Sequence, residues 1–256
     1  MAGETAGTGQ RQQGAATASW ETGGRLVSVI LATYNERESI GEMVRRIHEH
    51  ISPVEIIVVD DDSPDRTWEV AGALGDPSVR VVRRIGVKGL ASALLRGILE
   101  SKGEIVCWWD ADMPMCPETA PGMIRLLGEC DIVIGSRYAP GGADLRGPAR
   151  VWTSRALNGL ARAVLGHGIR DYDSGFIVLR RSVLDRVLPV PTGFGEYFIE
   201  FMYTAAKRGL VIREFPYSLT ERTEGASKGS PHLPGFLGIG FRYGVRIFVA
   251  RFRAGG

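Results

Sequence analysis

The sequence has only three cysteines, Cys107, Cys116 and Cys130. Their number is odd, and they show neither the paired framework of a small secreted domain nor a C-x-x-C metal or redox spacing. This argues against a disulfide scaffold and points to a reducing compartment. No apolar run approaches the roughly 20 residues that span a bilayer, and the first 24 residues carry no apolar signal core. A cytoplasmic protein is expected. Charge of one sign is also lacking: 31 basic against 29 acidic residues leave a formal net charge of +2. Without a broad positive field no nucleic-acid partner is expected, and any anion site must be local. Lysine is scarce, limited to Lys88, Lys102, Lys207 and Lys228, but the arginine bias carries no functional weight.

What is present is an ordinary globular balance, 44% apolar and 23% charged over 256 residues, enough for one well-buried domain. Residues 1–24, rich in Gly, Ala, Thr and Gln, cannot bury enough surface to order themselves and read as a loose tail. From residue 25 to 235 short β-branched runs alternate with helical periods, the pattern of an α/β domain with a mostly parallel sheet and crossover helices. Strands are predicted at Leu26–Ala32, Val54–Val59, Val79–Arg83, Glu104–Trp109 and Asp131–Gly135, with a returning strand at Gly175–Arg180 and another at Val211–Phe215. Helices are predicted after Glu36, from about Gly89, over Ala149–Leu165 and around Glu200–Arg208. Polar residues gather after the strands, where open α/β sheets bind ligands.

Two acidic clusters stand out. Asp110-Ala111-Asp112 follows an apolar strand and places two carboxylates near one rim, hard oxygen donors that suit Mg²⁺ or Mn²⁺. A divalent ion there would stabilise charge building on the leaving phosphate of a nucleoside diphosphate. By itself a DxD triplet is more often a pair of solvated or capping aspartates at a turn. Asp60 and Asp61 follow the second strand, Val54–Val59, and can meet ribose or base atoms, while Ser63-Pro64-Asp65 can equally be a helix start with Pro64 in its first turn. A dinucleotide-binding enzyme would carry GxGxxG after the first strand. That position reads Ala32-Thr33-Tyr34-Asn35-Glu36, which excludes it.

Several ordered motifs, VSVILATYNERESI, EIIVVDDDSPDRT, DAD at 110–112, DIVIGSRY at 131–138, RVWTSR at 150–155, DYDSGF at 171–176 and ERTEGASK at 221–228, resemble family 2 glycosyltransferases. Among these the chain is similar to polyprenol-phosphate (dolichol-phosphate) mannose synthases. The resemblance covers about residues 26–230. It implies a GT-A (Rossmann-like) nucleotide-sugar-binding fold acting as an inverting hexosyltransferase, with GDP-mannose as donor and a polyprenyl phosphate as acceptor. It further implies that Ala32, Tyr34, Glu36, Val59, Asp61 and Ala111 line the donor pocket and that Asp110 and Asp112 hold Mg²⁺ or Mn²⁺. Arg137, Arg222 and Lys228 would face the diphosphate or the acceptor phosphate, and Arg150 and Ser154, one helical turn apart, would hold the acceptor phosphate. An anionic donor meeting an anionic acceptor does demand cations, although a single arginine is more often a surface charge.

The chain departs from the family pattern at Ala32, where proline is usual, at Asp62, where glycine is usual, and at Pro114, which replaces a glutamine that commonly supplies a third metal contact. Proline cannot ligate a metal, so water would complete the sphere or the affinity would be lower. Two alternatives remain open. One is a transferase using a UDP-sugar and a hydroxyl acceptor, for which Glu196 or Glu200 would serve as base. The other is a nucleotide-sugar-binding scaffold without turnover. Residues 236–256 form an amphipathic segment with Arg242, Arg246 and Arg253 on one helical side and Phe241, Val245, Phe248 and Phe252 on much of the rest. The segment suits either a peripheral contact at the inner face of the cell membrane or a closing helix on the domain.

Overall fold

The computed structural model describes residues 22–112, 115–193, 195–221 and 233–253, with the backbone alone over 233–241. Most of the predicted tail, together with Pro114, Arg222 and Lys228, lies outside the described residues. In chain order the elements begin with strand β1 (Val27–Thr33), helix α1 (Ile40–His50), β2 (Val54–Asp60), α2 (Thr67–Ala73) and β3 (Val79–Arg83). They continue with α3 (Leu90–Glu100), β4 (Ile105–Asp110), α4 (Ala120–Leu126), β5 (Ile132–Ser136), β6 (Ala143–Asp144) and α5 (Pro148–Leu165). The last are β7 (Ile177–Arg180), α6 (Tyr197–Lys207), β8 (Ile212–Pro216), β9 (Ser218–Leu219) and α7 (Leu233–Arg253).

Seven strands form one sheet in the order β3-β2-β1-β4-β7-β5-β8. Only β7 runs against its neighbours, pairing antiparallel with β4 and β5, so the returning strand expected from the sequence marks the junction of the two halves. Parallel strands are buried on both faces, which explains their nearly continuous apolar runs. Successive residues point to opposite faces, and the adjacent Trp108 and Trp109 accordingly sit in different cores. Trp108 packs with Leu94, Tyr172 and Phe201 on the side of α3, α5, α6 and α7, whereas Trp109 packs with Met43, Met123 and Phe176 on the side of α1 and α4.

The short β6–β9 pair, joining residues 143–144 to 218–219, lies where no strand was predicted. It draws the chain after β5 back onto itself. A Cβ at Gly142 would lie 2.4 Å from the Ser136 carbonyl oxygen, so only glycine permits this approach.

Helix α7 closes the domain against α5 and α6, burying Tyr243, Ile247 and Ala250. Three of its arginines lie near protein carboxylates, Arg246 largely buried and Arg242 and Arg253 mostly exposed. Arg246 Nη1 donates to Glu200 Oε2 at 2.8 Å, Arg253 Nη1 lies 3.4 Å from Glu200 Oε1, and Arg242 Nε lies 3.9 Å from Glu196 Oε1. The apolar Val245, Phe248 and Phe252 are instead exposed, at 45%, 49% and 78%. Spaced i, i+3 and i+7, they form one stripe. Among the described residues no helix is long and apolar enough to cross a membrane.

Candidate active site

The carboxyl ends of β1, β2 and β4 meet at one rim, because the sheet register sets Ala32 opposite Asp110 and Thr33 opposite Asp60. Asp110 is exposed at the end of β4, Asp112 is half-buried two residues on, and Ala111 between them is buried in the core. Both aspartates also interact with protein groups. The described residues hold no group of three or more acidic, histidine or cysteine side chains able to close around an ion. The donor set is two carboxylates on a solvent-facing rim. This chemistry fits a hard divalent cation that keeps water in its sphere and takes substrate phosphate oxygens as further ligands.

On the β2 side the three aspartates divide their work. Asp60 is wholly buried and accepts from Thr33 Oγ1 at 2.7 Å and from Ser63 N and Oγ at 2.8 and 2.6 Å, so it braces the two loops. Asp61 accepts from Arg84 Nε at 2.6 Å and from the Gly89 amide at 2.7 Å, tying the rim to the start of α3. Asp62 pairs with Arg83, which also stacks on Trp68 at 3.9 Å. Asn35, Asp62 and Arg66 all adopt left-handed backbone, with φ of 56°, 54° and 60°. Non-glycine residues held there cluster at functional sites. Pro64 does not begin α2. That helix starts at Thr67, whose amide and hydroxyl donate to Asp65 Oδ1, because the left-handed Arg66 intervenes.

The expected donor residues are placed unequally. Tyr34 stands at the rim, with Lys88 Nζ 3.0 Å from its hydroxyl and 4.6 Å from its ring centre. This hydrogen bond raises the Lys88 pKa. Glu36 is buried and accepts from Ser39 Oγ at 3.0 Å, ahead of α1. Val59 is fully buried, among Ile57, Ala93 and Val82, which leaves only its backbone for a ligand. Arg84 and Lys88, which meet Asp61 and Tyr34 at this rim, belong to no motif that the sequence singled out. Their signal was a basic pair just after β3, opposite the acidic cluster.

Arg137 departs most from expectation. Its side chain is 2% exposed. Its Nε and Nη2 donate to Asp171 at 2.8 and 2.6 Å, and Nη2 also donates to the Asp173 carbonyl at 2.9 Å. Burial lowers the guanidinium pKa, but Asp171 more than reverses the effect and Arg137 stays charged. Its Nη1, 3.8 Å from Asp144, makes no hydrogen bond among the described residues. Arg137 is thus the centre of a buried hub, because DYDSGF folds back onto it. Asp144 in turn accepts from Arg146 Nε at 2.8 Å. Sequence reasoning quoted Asp171 and Asp173 inside a motif without giving them this role.

Arg150 and Ser154 lie one turn apart on α5. Arg150 Nη1 donates to Glu221 Oε1 at 3.0 Å, and Glu221 Oε2 also accepts from the Gly147 amide that opens the helix. Ser154 is buried beside Tyr138. Glu200, a base candidate for a hydroxyl acceptor, is held by Arg246 and Arg253 on the α7 side.

A mostly parallel sheet with one reversed strand and acidic residues at its carboxyl rim is the arrangement of a GT-A-like fold. The profile of glycosyl transferase family 2 matches residues 28–188, and the chain belongs to that family. It is 39% identical over 210 residues to a dolichol-phosphate mannosyltransferase of Pyrococcus furiosus, a match that takes in 79% of the chain but only 59% of that protein's length. It is 37% identical to a polyprenol monophosphomannose synthase of Mycolicibacterium smegmatis, covering 79% of the chain and 80% of the relative. An undecaprenyl-phosphate mannosyltransferase of Micrococcus luteus is 33% identical, with 82% and 89% covered. Among solved structures, glucosyl-3-phosphoglycerate synthase of Mycobacterium tuberculosis bound to Mn²⁺, UDP and glucosyl-3-phosphoglycerate superposes with a TM-score of 0.65 at 23% identity, over 90% of this chain and 81% of that one. At that identity the likeness concerns the fold alone.

Proposed function

We propose that the chain transfers a mannosyl group from GDP-mannose to a polyprenyl phosphate, with inversion at the anomeric carbon. The observation that carries this conclusion is the agreement of the three relatives, each of whose names pairs mannose transfer with a prenyl phosphate. Asp110 and Asp112 would hold Mg²⁺ or Mn²⁺, which when bound offsets charge on the departing diphosphate. Tyr34 and Lys88 would flank the nucleotide from the rim, and Arg222 and Lys228 would complete the phosphate contacts. A phosphate monoester has a second pKa of about 6, so at neutral pH the acceptor is already a nucleophilic anion and needs no strong base. The engagement of Glu200 by two arginines suits that absence.

On the acceptor side Arg150 and Ser154 would bind the phosphate, with Arg150 exchanging its Glu221 partner for the ligand. Arg150→Ala then raises the acceptor KM by roughly 10-fold or more, the loss of a hydrogen bond to a charged group, and leaves nucleotide affinity nearly intact. Steady-state kinetics with a short-chain polyprenyl phosphate, against titration with GDP, measures both. The product is a glycosyl phosphodiester cleaved by mild acid. An acid-stable O-glycoside, with no effect at Arg150, would instead establish the hydroxyl-acceptor transferase.

The acceptor is a lipid, and the Val245, Phe248 and Phe252 stripe on α7 suits a peripheral membrane contact made by apolar insertion. Because α7 also covers the core, removing it would confuse the two roles, and point substitutions are the better probe. Phe248→Asp with Phe252→Asp lowers co-sedimentation with anionic vesicles by at least ~10-fold without changing GDP binding. Undiminished sedimentation would remove the stripe from the membrane face.

A further inference from the structure

We infer that Glu221 is an internal stand-in for the acceptor phosphate: its carboxylate occupies the cationic start of α5, and an acceptor binds there only by displacing it. This rests on the assignment of Arg150 to the acceptor phosphate proposed above. Helix α5 runs for 18 residues from Pro148, so its start carries the partial positive charge of a long helix. Nothing local offsets that charge. The capping residue is Gly147, which has no side chain, and the first turn contains no acidic residue. A helix start with an arginine in its first turn has the chemistry of a phosphate site.

The anion that serves this start comes from 71 residues further along the chain. Glu221 Oε2 accepts from the Gly147 amide at 3.0 Å, and Oε1 accepts from Arg150 Nη1 at 3.0 Å. One group thus bridges a helix-start amide and a guanidinium with two of its oxygens, as a phosphate can. The β6–β9 pair brings it there, since β6 leads into α5 and β9 into Glu221, and the Leu145 amide donates to the Leu219 carbonyl at 2.8 Å. These backbone bonds do not depend on the side chain at 221, so the carboxylate can leave without unravelling the segment. Arg150 and Glu221 are 38% and 51% exposed, within reach of a ligand. An exposed ion pair and a carboxylate at a helix start are each worth little, and together they correspond to an occupied-to-open ratio of roughly 3–10. Every anion that needs this position has its apparent affinity lowered by about that factor. Inorganic phosphate, held by this position alone, is kept weak, whereas a lipid acceptor adds the binding of its chain.

The test uses the full chain with Glu221→Gln, which keeps the shape and removes the charge, and Glu221→Ala, which removes the group. The acceptor KM for a polyprenyl phosphate, the inhibition constant of inorganic phosphate against that acceptor, the GDP constant and the thermal unfolding midpoint are measured together. Both variants are expected to lower the acceptor KM roughly 3–10-fold and the phosphate inhibition constant by the same factor, with the GDP constant and midpoint held. Added to Arg150→Ala, Glu221→Gln lowers the acceptor KM much less, because both substitutions act on one position. An acceptor KM that rises in both Glu221 variants makes the carboxylate a brace for Arg150 and overturns the inference. An unchanged KM makes it an idle surface pair and overturns the inference too, as does a tighter acceptor without tighter phosphate. If Arg150→Ala leaves the acceptor KM unchanged, the acceptor assignment fails and this inference with it; if Arg150→Ala raises that constant and neither Glu221 variant lowers it, the inference alone fails.

Discussion

Asp112→Asn lowers turnover by at least ~10²-fold, while the unfolding midpoint stays close to that of the unaltered chain. The substitution keeps size and shape and removes one of two carboxylates on a solvent-facing rim. Asp112 is half-buried and lies outside both apolar cores, so folding loses little. The loss falls on the reaction, since one preorganised charge at the site of developing negative charge is commonly worth 10²–10³ in rate. Excess chelator should reduce the unaltered enzyme to a similar level, and Mn²⁺ should restore that enzyme but not the variant. Full turnover in chelator would rule out the metal role of Asp110 and Asp112.

Arg137→Met has the opposite signature, with stability lost first. Asp171 is completely buried and would be left without its guanidinium. Removing one partner of a buried ion pair costs about 3–5 kcal/mol, which urea unfolding would register as a lower midpoint at unchanged slope. Pairing Arg137→Met with Asp171→Leu should recover most of that stability, because replacing both charges by apolar groups is often neutral. It should not recover transfer if Arg137 acts on the acceptor phosphate. A double variant that regains full turnover would make the hub purely structural.

Much of the fold was legible in the sequence because parallel strands write themselves as short β-branched runs. The predicted strand positions agree with the observed ones to within two residues, including the reversed β7. The helical period of Ile40, Met43, Val44 and Ile47 was equally legible, and all four are buried. What escaped was set by groups far apart in the chain. The β6–β9 pair joins residues 143–144 to 218–219. No local pattern signals such short strands, since two residues carry no period.

For the site, the sequence by itself determined which chemistry the rim offers. Asp110 and Asp112 follow a strand in an α/β alternation, and strand ends of such sheets are where ligands sit whatever the rest of the chain does. Tertiary structure alone decided which charges are available. Arg137 and Arg150 are both arginines in quoted motifs, yet one is 2% exposed and locked to Asp171 while the other is 38% exposed on α5 and pairs with Glu221 at the surface. Likewise the arginines of α7 were legible as a polar flank, but only the packed helix shows two of them spent on Glu200 and Phe248 and Phe252 turned outward. The physical reason is common to both cases. Periodicity places a side chain on a face of its own element, whereas its partners and its burial depend on which distant element packs against that face.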